Sequence, residues 1–355
     1  MKILHTSDIH LDSPLTTRLS ADKVRTRKKE LLSSFKRCVE LAVRSGAQGF
    51  IISGDLFDSE KASRMAVETA LSIIADAPTV SFFYLFGNHE RDMLIRSGLE
   101  IPKNLKLFED GWSYYRFSDV VIAGRCTTEK GMFDSLILDG SKRNIVILHG
   151  ELADKSDSCG KIGRAEAARL PIDYIALGHY HSYSEEKISG RCTAVYSGTP
   201  EGRGFDEAGE KGVVMLNIDQ YGISHSFIKT SERTLRIIQV DVSTLSNEYL
   251  IEREIENATR GIPVGDIVRV VLVGERDIES ELDTASITTR FMHRYYYFEC
   301  RDESRVRISS DAFINDKTLK GEFIRGVFAD ESLSDEEKQK VISMGLRALH
   351  GAPID

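Results

Sequence analysis

A chain of 355 residues, 41% apolar and 29% charged, exceeds what one hydrophobic core usually supports, and a large domain followed by something smaller is expected. No run approaches the length of a bilayer span, no charged n-region and apolar h-region follow Met1 and Lys2, and the five cysteines lack CxxC spacing, which argues against a disulfide framework and a structural zinc site and makes a reducing cytoplasm the expected location. A formal net charge of −8 argues against adhesion to DNA through the bulk field, so any DNA contact is expected to be local.

In chain order, short runs rich in β-branched and aromatic residues predict strands at Lys2 to Thr6, Gly49 to Ser53, Val80 to Phe86, Asn144 to Leu148 and Tyr174 to Leu177, with longer helix-like segments between them. That alternation is the α/β pattern. The first helix-like segment opens on the densest basic stretch, Lys23, Arg25, Arg27, Lys28 and Lys29, which reads either as a solvated helix face or as a surface that meets phosphates. The runs Val120 to Ala123, Thr193 to Tyr196, Val213 to Ile218 and Ile223 to Ile228 lack long helices between them and predict a second, partly antiparallel sheet. The polar stretch Lys229 to Arg233 reads as a hinge. Beyond it, strands at Leu235 to Val242, Ile267 to Val273 and Tyr295 to Cys300, with helices near Glu248 to Thr259 and Ile278 to Met292, predict a small α/β cap domain. A helix at Thr318 to Phe328 and the capping box Ser334-x-x-Glu337 predict a helical tail. The expected domains are therefore residues 1–229, a cap over 230–310 and a tail over 311–355.

Each of the five strands of the first half ends in a polar cluster: Asp8 to His10, Gly54 to Asp58, Gly87 to Glu90, His149-Gly150, and Gly178 to His181. Ligands of open α/β sheets bind outside the carboxyl ends of the strands, so five such clusters can converge on one pocket. Singly they differ in weight. Asp8-Ile9-His10 occurs often by chance, and Gly54-Asp55 is ordinary turn chemistry. Gly87-Asn88-His89-Glu90 sets three polar side chains after a wholly apolar strand, and Gly178-His179-Tyr180-His181 offers two imidazoles to one centre. Core histidines and turn aspartates arising independently account for any one block, not for all in order. The other histidines, His5, His225, His293 and His350, have no motif around them and read as structural or exposed.

In this order the blocks resemble the calcineurin-like metallophosphoesterases, whose pattern is D-x-H, G-D-x-x-D, G-N-H-[ED], H and G-H-x-H. The resemblance implies a two-sheet sandwich flanked by helices, here followed by the smaller α/β cap, and a site for two divalent ions. Such a pair polarises a phosphoryl oxygen, generates hydroxide near neutral pH and stabilises an in-line displacement. By resemblance Asp8, His10, Asp55 and His181 hold one ion and Asp55, Asn88, His149 and His179 the other, with Asp55 as the bridge. Mixed carboxylate, amide and imidazole ligands suit Mn²⁺ first, with Fe²⁺ or Mg²⁺ as alternatives. His89 is implied as the non-ligand histidine that contacts the scissile phosphate and protonates the leaving oxygen. Asp58 and Glu90 would orient the ligands.

Three stretches are narrower. Ile3 to Asp12, Gly54 to Asp58, and Ser197-Gly198-Thr199-Pro200-Glu201-Gly202-Arg203 through Glu210-Lys211-Gly212-Val213 resemble the Mre/SbcD-type DNA-repair nucleases, and the opening resembles the YhaO-type exonuclease group in particular. That branch implies DNA as substrate, a cap that helps hold it, an SMC-like ATPase partner and a homodimer. Arg203, Arg25 and Lys28 are the expected DNA contacts near the site, and Arg233, Arg236, Arg253, Arg260, Arg290, Arg294, Arg301, Arg305 and Arg307 offer further phosphate contacts after the hinge. Two departures stand out: some members carry histidine where this chain has Asp58, and the chain ends soon after the cap. A phosphodiesterase or phosphatase for small nucleotides is the alternative, and the long segment after the hinge argues against it. A non-catalytic DNA-end-binding protein would have lost ligands, and here all are present.

Overall fold

Apolar side chains that alternate along a strand face two ways, and the five strands expected in the first half bury both faces. The computed structural model of the chain describes residues 1–15, 19–58, 62–86, 94, 98–117, 119–277, 282–307 and 313–349. Its elements run β1 (Lys2–Thr6), α1 (Ala21–Arg44), β2 (Gly49–Ser53), α2 (Arg64–Ala75), β3 (Ser81–Leu85), β4 (Leu105–Leu107), β5 (Ser113–Phe117), β6 (Val120–Gly124) and β7 (Arg143–His149). There follow β8 (Glu151–Ala153), β9 (Lys161–Gly163), the single turn α3 (Arg164–Ala167), β10 (Tyr174–Gly178), β11 (Ser184–Lys187), β12 (Thr193–Tyr196), β13 (Gly212–Ile218) and β14 (Ile223–Lys229).

Two six-stranded sheets result, ordered β14-β13-β1-β2-β3-β4 and β11-β12-β10-β7-β6-β5. Ile3, Ile51, Phe83 and Leu85 from the first meet Ile145, Ile147, Tyr174 and Ala176 from the second in one core. On the opposite face of the first sheet, Leu4, Phe50, Ile52, Phe82 and Tyr84 pack against Phe35, Cys38 and Val39 of α1 and Val67, Leu71 and Ile74 of α2. The outward residues of the second sheet, Val146, Leu148, Ile175 and Leu177, close a third core with Met132, Phe133 and Ile172. Burying each such side chain contributes about 1.5–3 kcal/mol.

The expected second sheet is present, with β5 and β11 antiparallel to their neighbours. Val213 to Ile218 and Ile223 to Ile228 do not belong to it. They form β13 and β14 of the first sheet, where β13 pairs antiparallel with β1 from Lys2↔Asn217 to His5↔Val214. The physical reason is that β13 is buried at all but one position and fits between β1 and the half-exposed β14, which then forms the edge.

The chain divides into two compact units, Met1–Leu235 and Arg236–Asp355. The second contains a three-stranded sheet, β15 (Leu235–Asp241), β16 (Ile267–Val273) and β18 (Tyr297–Asp302), with β16 and β18 parallel. Helices α4 (Glu248–Ala258) and α5 (Thr284–Phe291) cover it through Ile251, Ile255, Ile287 and Phe291. The short strands β17 (Glu275–Asp277) and β19 (Arg305–Arg307) pair with each other. In the expected tail, Ile324 of α6 (Leu319–Ala329) meets Ile342 and Leu346 of α7 (Asp335–Leu349). The capping box forms: Ser334 N–H donates to Glu337 Oε2 at 2.8 Å and Glu337 N–H to Ser334 Oγ at 3.3 Å. Among the described residues no helix is long and apolar enough to cross a membrane.

Candidate metal centre

The loops after β1 and β2 run side by side past the ends of their strands. Asp8 N–H donates to Gly54 O at 3.1 Å, His10 N–H to Asp55 O at 3.0 Å, Leu11 N–H to Leu56 O at 2.8 Å and Asp58 N–H to Leu11 O at 3.2 Å. This ladder sets two acidic side chains next to each other. It also strains the backbone, since Asp8, His10, Asp12, Asp55 and His179 are the described non-glycine residues with positive φ, and His179 reaches 110°. Such conformations cost on the order of 1–3 kcal/mol each and persist where the surroundings over-determine them. Four of the five are expected ligands. Two glycines make the approach possible: a Cβ on Gly54 would lie 2.0 Å from His149 Nδ1, and one on Gly178 would lie 1.9 Å from Ser53 O.

Asp8, His10 and His181 offer ligand atoms within 4.8 Å of one another, and so do Asp8, Asp55 and His149. The first-sheet strands β1 and β2 supply Asp8, His10 and Asp55, while β7 and β10 of the second supply His149 and His181. Asp55 Oδ2 lies 3.7 Å from His10 Nε2 and 3.6 Å from His149 Nε2, so one carboxylate oxygen faces an imidazole of each group. Asp8 accepts the His179 N–H at 3.1 Å on either oxygen.

The tautomers follow from the partners. His149 Nδ1 lies 3.0 Å from Ser53 O, an acceptor, so Nδ1 carries the proton and the bare Nε2 faces Asp55. His181 Nδ1 lies 2.7 Å from Glu207 Oε1, and its Nε2 faces Asp8 Oδ1 at 3.7 Å and His10 Nε2 at 3.3 Å. Lone pairs of imidazoles and carboxylates thus point at common places, an arrangement that a cation relieves, and the residues fit divalent ions held by mixed nitrogen and oxygen donors. Burial first, then the nearby Arg203 and His181, push His10 down to about 2, so it is neutral and able to ligate. His181 shifts the other way, raised chiefly by its hydrogen bond to Glu207.

Glu207 was not singled out from the sequence. Burial alone would raise its carboxyl, but the hydrogen bonds from His181 and Arg203 prevail and hold it at about 2. It lies inside the stretch between Ser197 and Lys211 whose pattern was noticed, yet nothing in that stretch marks it as facing His181 rather than solvent. Ser53, the acceptor for His149, was likewise hidden at the end of an apolar strand.

The remaining expected residues fall as follows. Asn88, His89 and Glu90 lie outside the described residues. The His179 ring is exposed, 5.7 Å from that of His149 between centroids, and joins neither group of converging atoms. Asp58 Oδ1 lies 3.5 Å from His10 Nδ1 and accepts Arg203 Nη1 at 3.0 Å. Arg203 is turned inward, donating to Ser13 Oγ at 3.1 Å as well as to Asp58 and Glu207. Arg25 is exposed beside Asp22 at 3.8 Å, and Lys28 Nζ lies 4.0 Å from Asp12.

Carboxylates and imidazoles converging at strand ends of a two-sheet α/β fold define a metal-dependent phosphoesterase, a hydrolase. The model of the calcineurin-like phosphoesterase family matches residues 1–183, and the chain belongs to that family. It is similar to the uncharacterized metallophosphoesterase YhaO of Bacillus subtilis, 25% identical over 301 residues that cover 77% of this chain and 72% of the relative. It is also similar to the DNA double-strand break repair proteins Mre11 of Saccharolobus solfataricus, 21% identical over 97% of this chain and 94% of the relative, and of Thermoplasma acidophilum, 22% identical over 94% and 91%. These relatives support the Mre/SbcD-like branch of the family.

Proposed function

We propose that this phosphoesterase is a two-metal DNA nuclease that hydrolyses DNA phosphodiester bonds. The observation that carries this reading is the extent of the likeness: similarity to a DNA double-strand break repair protein runs over 97% of the chain, well past the catalytic unit and through the second one.

Asp8, His10, Asp55 and His181 would hold one ion and Asp55, Asn88, His149 and His179 the other, with Mn²⁺ as the proposed metal. When bound, the pair supplies Lewis acidity and a hydroxide nucleophile near neutral pH. The chain's own residues do the rest. Ser53 O fixes the tautomer of His149, and Asp58 lies between His10 and Arg203 and restrains both. His89 is the proposed general acid for the leaving oxygen, a function that imidazoles commonly serve. Glu90 is proposed to orient a ligand. Arg25 and Lys28 lie on the exposed side of α1 and are proposed DNA contacts, and an SMC-like ATPase and a second copy of the chain are the proposed partners.

The test is substrate choice. Incubate the protein with Mn²⁺ and, separately, end-labelled duplex DNA, single-stranded DNA, a cyclic nucleotide and a phosphomonoester. DNA should be degraded, chelation should stop the reaction, and Asp55→Ala, which touches both groups of ligands, should abolish it. Turnover confined to the cyclic nucleotide or the monoester would move the function to small substrates.

A further inference from the structure

The carboxylate of Glu207 is almost fully buried, yet it touches the metal centre only through other side chains. Its Oε1 takes His181 Nδ1 at 2.7 Å together with Arg203 Nε at 3.0 Å and Nη2 at 2.6 Å, and its Oε2 takes the Arg203 backbone N–H at 2.7 Å. Arg203 in turn donates Nη1 to Asp58 Oδ1 at 3.0 Å, so one guanidinium aligns the partner of His181 with the partner of His10. The other side of His181 is fixed as well: the buried Lys211 donates Nζ to His181 O at 2.7 Å and to Ser182 Oγ at 3.2 Å. The residue is therefore held at its backbone carbonyl by Lys211 and at ring Nδ1 by Glu207, whose 2.7 Å contact is closer than that of Arg203 Nη2 at 3.3 Å, and Nε2 faces Asp8 and His10.

We propose that Glu207 is the positioning residue of the metal centre: its carboxylate holds His181 as the Nδ1–H tautomer, aims Nε2 at the place where Asp8 and His10 converge, and thereby sets the affinity of one of the two ions. The inference rests on the two-metal reading of the site. A carboxylate can only accept, so the proton on Nδ1 is obligatory while Glu207 is ionised, and a carboxylate on the far nitrogen makes the near one a better donor to a metal. Were Glu207 only the counter-charge of Arg203, its loss would change stability and leave both the tautomer and the metal affinities as they were.

The experiment uses the full chain. With ring-¹⁵N-labelled histidine and no metal, at a pH alkaline enough to leave the His181 ring neutral, its resonances, assigned by their loss in His181→Gln, should report a proton on Nδ1 and none on Nε2. Mn²⁺ titration by calorimetry should then show two ions in the wild type. In Glu207→Ala one of them should bind about 10–100-fold more weakly while the other is retained, the range typical of removing such a partner. Glu207→Gln keeps the shape but cannot present only acceptors to His181 and Arg203, and it should weaken the same ion. A neutral His181 that carries its proton on Nε2 and not on Nδ1 in the wild type overturns the proposal, as does either folded variant binding both ions as tightly as the wild type. A wild type that binds no Mn²⁺ sinks the two-metal reading instead, and the tautomer still decides whether Glu207 orients His181.

Discussion

Ser53 serves two histidines at once: its hydroxyl meets His5 Nε2 at 2.9 Å, and its carbonyl takes His149 Nδ1 at 3.0 Å. His5 also meets the Tyr174 hydroxyl at 2.9 Å and is fully buried in the floor below the ligands. Burial, against a smaller opposing contribution at Leu177, pushes its pKa down to about 3 from the ordinary 6.5. Between those values the unfolded chain binds a proton that the folded one refuses, so this contribution to stability is fully present above the unfolded pKa and is lost as pH falls from 6.5 toward 3. Unfolding free energies of the metal-free protein, from urea titrations, should therefore fall with acid more steeply in the wild type than in His5→Gln, by up to about 1.4 kcal/mol per pH unit. His10 titrates in both proteins and cancels in the difference. Parallel pH profiles would show that His5 is not held neutral. At this scale the sequence was legible wherever chemistry followed a strand: Asp8, His10, Asp55, His149 and His181 all stood in such clusters. Glu207 and Ser53 were not, because a hydrogen-bond acceptor leaves no spacing signature when its partner is distant in the chain.

Strands were legible for a related reason. Five-to-seven-residue apolar runs with polar ends admit few other structures, and β1, β2, β3, β7 and β10 fall within a residue or so of where they were expected. Pairing was not legible, because nothing in residues 212–229 says that their neighbour is β1 rather than a strand of the second sheet. The polar stretch after β14, read as a hinge, is tied to the first unit by hydrogen bonds and ion pairs. Thr230 and Ser231 donate their N–H groups to Lys211 O, and Glu232 N–H donates to Glu201 Oε2 at 2.6 Å. Glu201, 1% exposed, also takes Arg27 Nη2 at 3.0 Å, and Arg233 pairs with Glu30 at 2.7 Å. The fully buried Leu235 then accepts Gly209 N–H at 2.8 Å. Removing one partner of a buried ion pair costs about 3–5 kcal/mol, a large part of a typical domain's stability. A chain cut after Leu235 is accordingly expected to fold and to hydrolyse a small chromogenic phosphodiester with Mn²⁺. One cut after Lys229 should unfold at clearly lower urea or precipitate. Equal midpoints for the two would mean that the 230–235 segment contributes nothing.

For the whole molecule, length and patterning predict a domain over 1–229, a cap over 230–310 and a tail over 311–355, and the chain divides into two compact units, Met1–Leu235 and Arg236–Asp355. What they could not announce is how the charges of the second unit are spent. Arg236 pairs with Asp266 at 2.7 Å, Arg290 with Glu248 at 3.3 Å, Arg294 with Glu256 at 2.6 Å and Arg301 with Glu299 at 3.2 Å, while the side chain of Arg307 lies outside those described. An exposed pair such as Arg294–Glu256 is worth little to stability, whereas Asp266 is buried and keeps Arg236 in a half-buried pair. The first unit carries a different consequence. Asp8, His10 and Asp55 hang from one sheet and His149 and His181 from the other, and among the described residues no strand of one sheet pairs by a backbone ladder with a strand of the other. A cation gathered by both sets is then a ligand of the folded state alone, and mass action ties its concentration to the melting point. At one hundred times the dissociation constant that linkage adds about 2.7 kcal/mol. Stripping the protein with chelator should lower its melting temperature, added Mn²⁺ should raise it in proportion to the logarithm of concentration, and Asp55→Ala should flatten that slope. The same ions proposed to open a phosphate ester would keep the two halves of the sandwich closed.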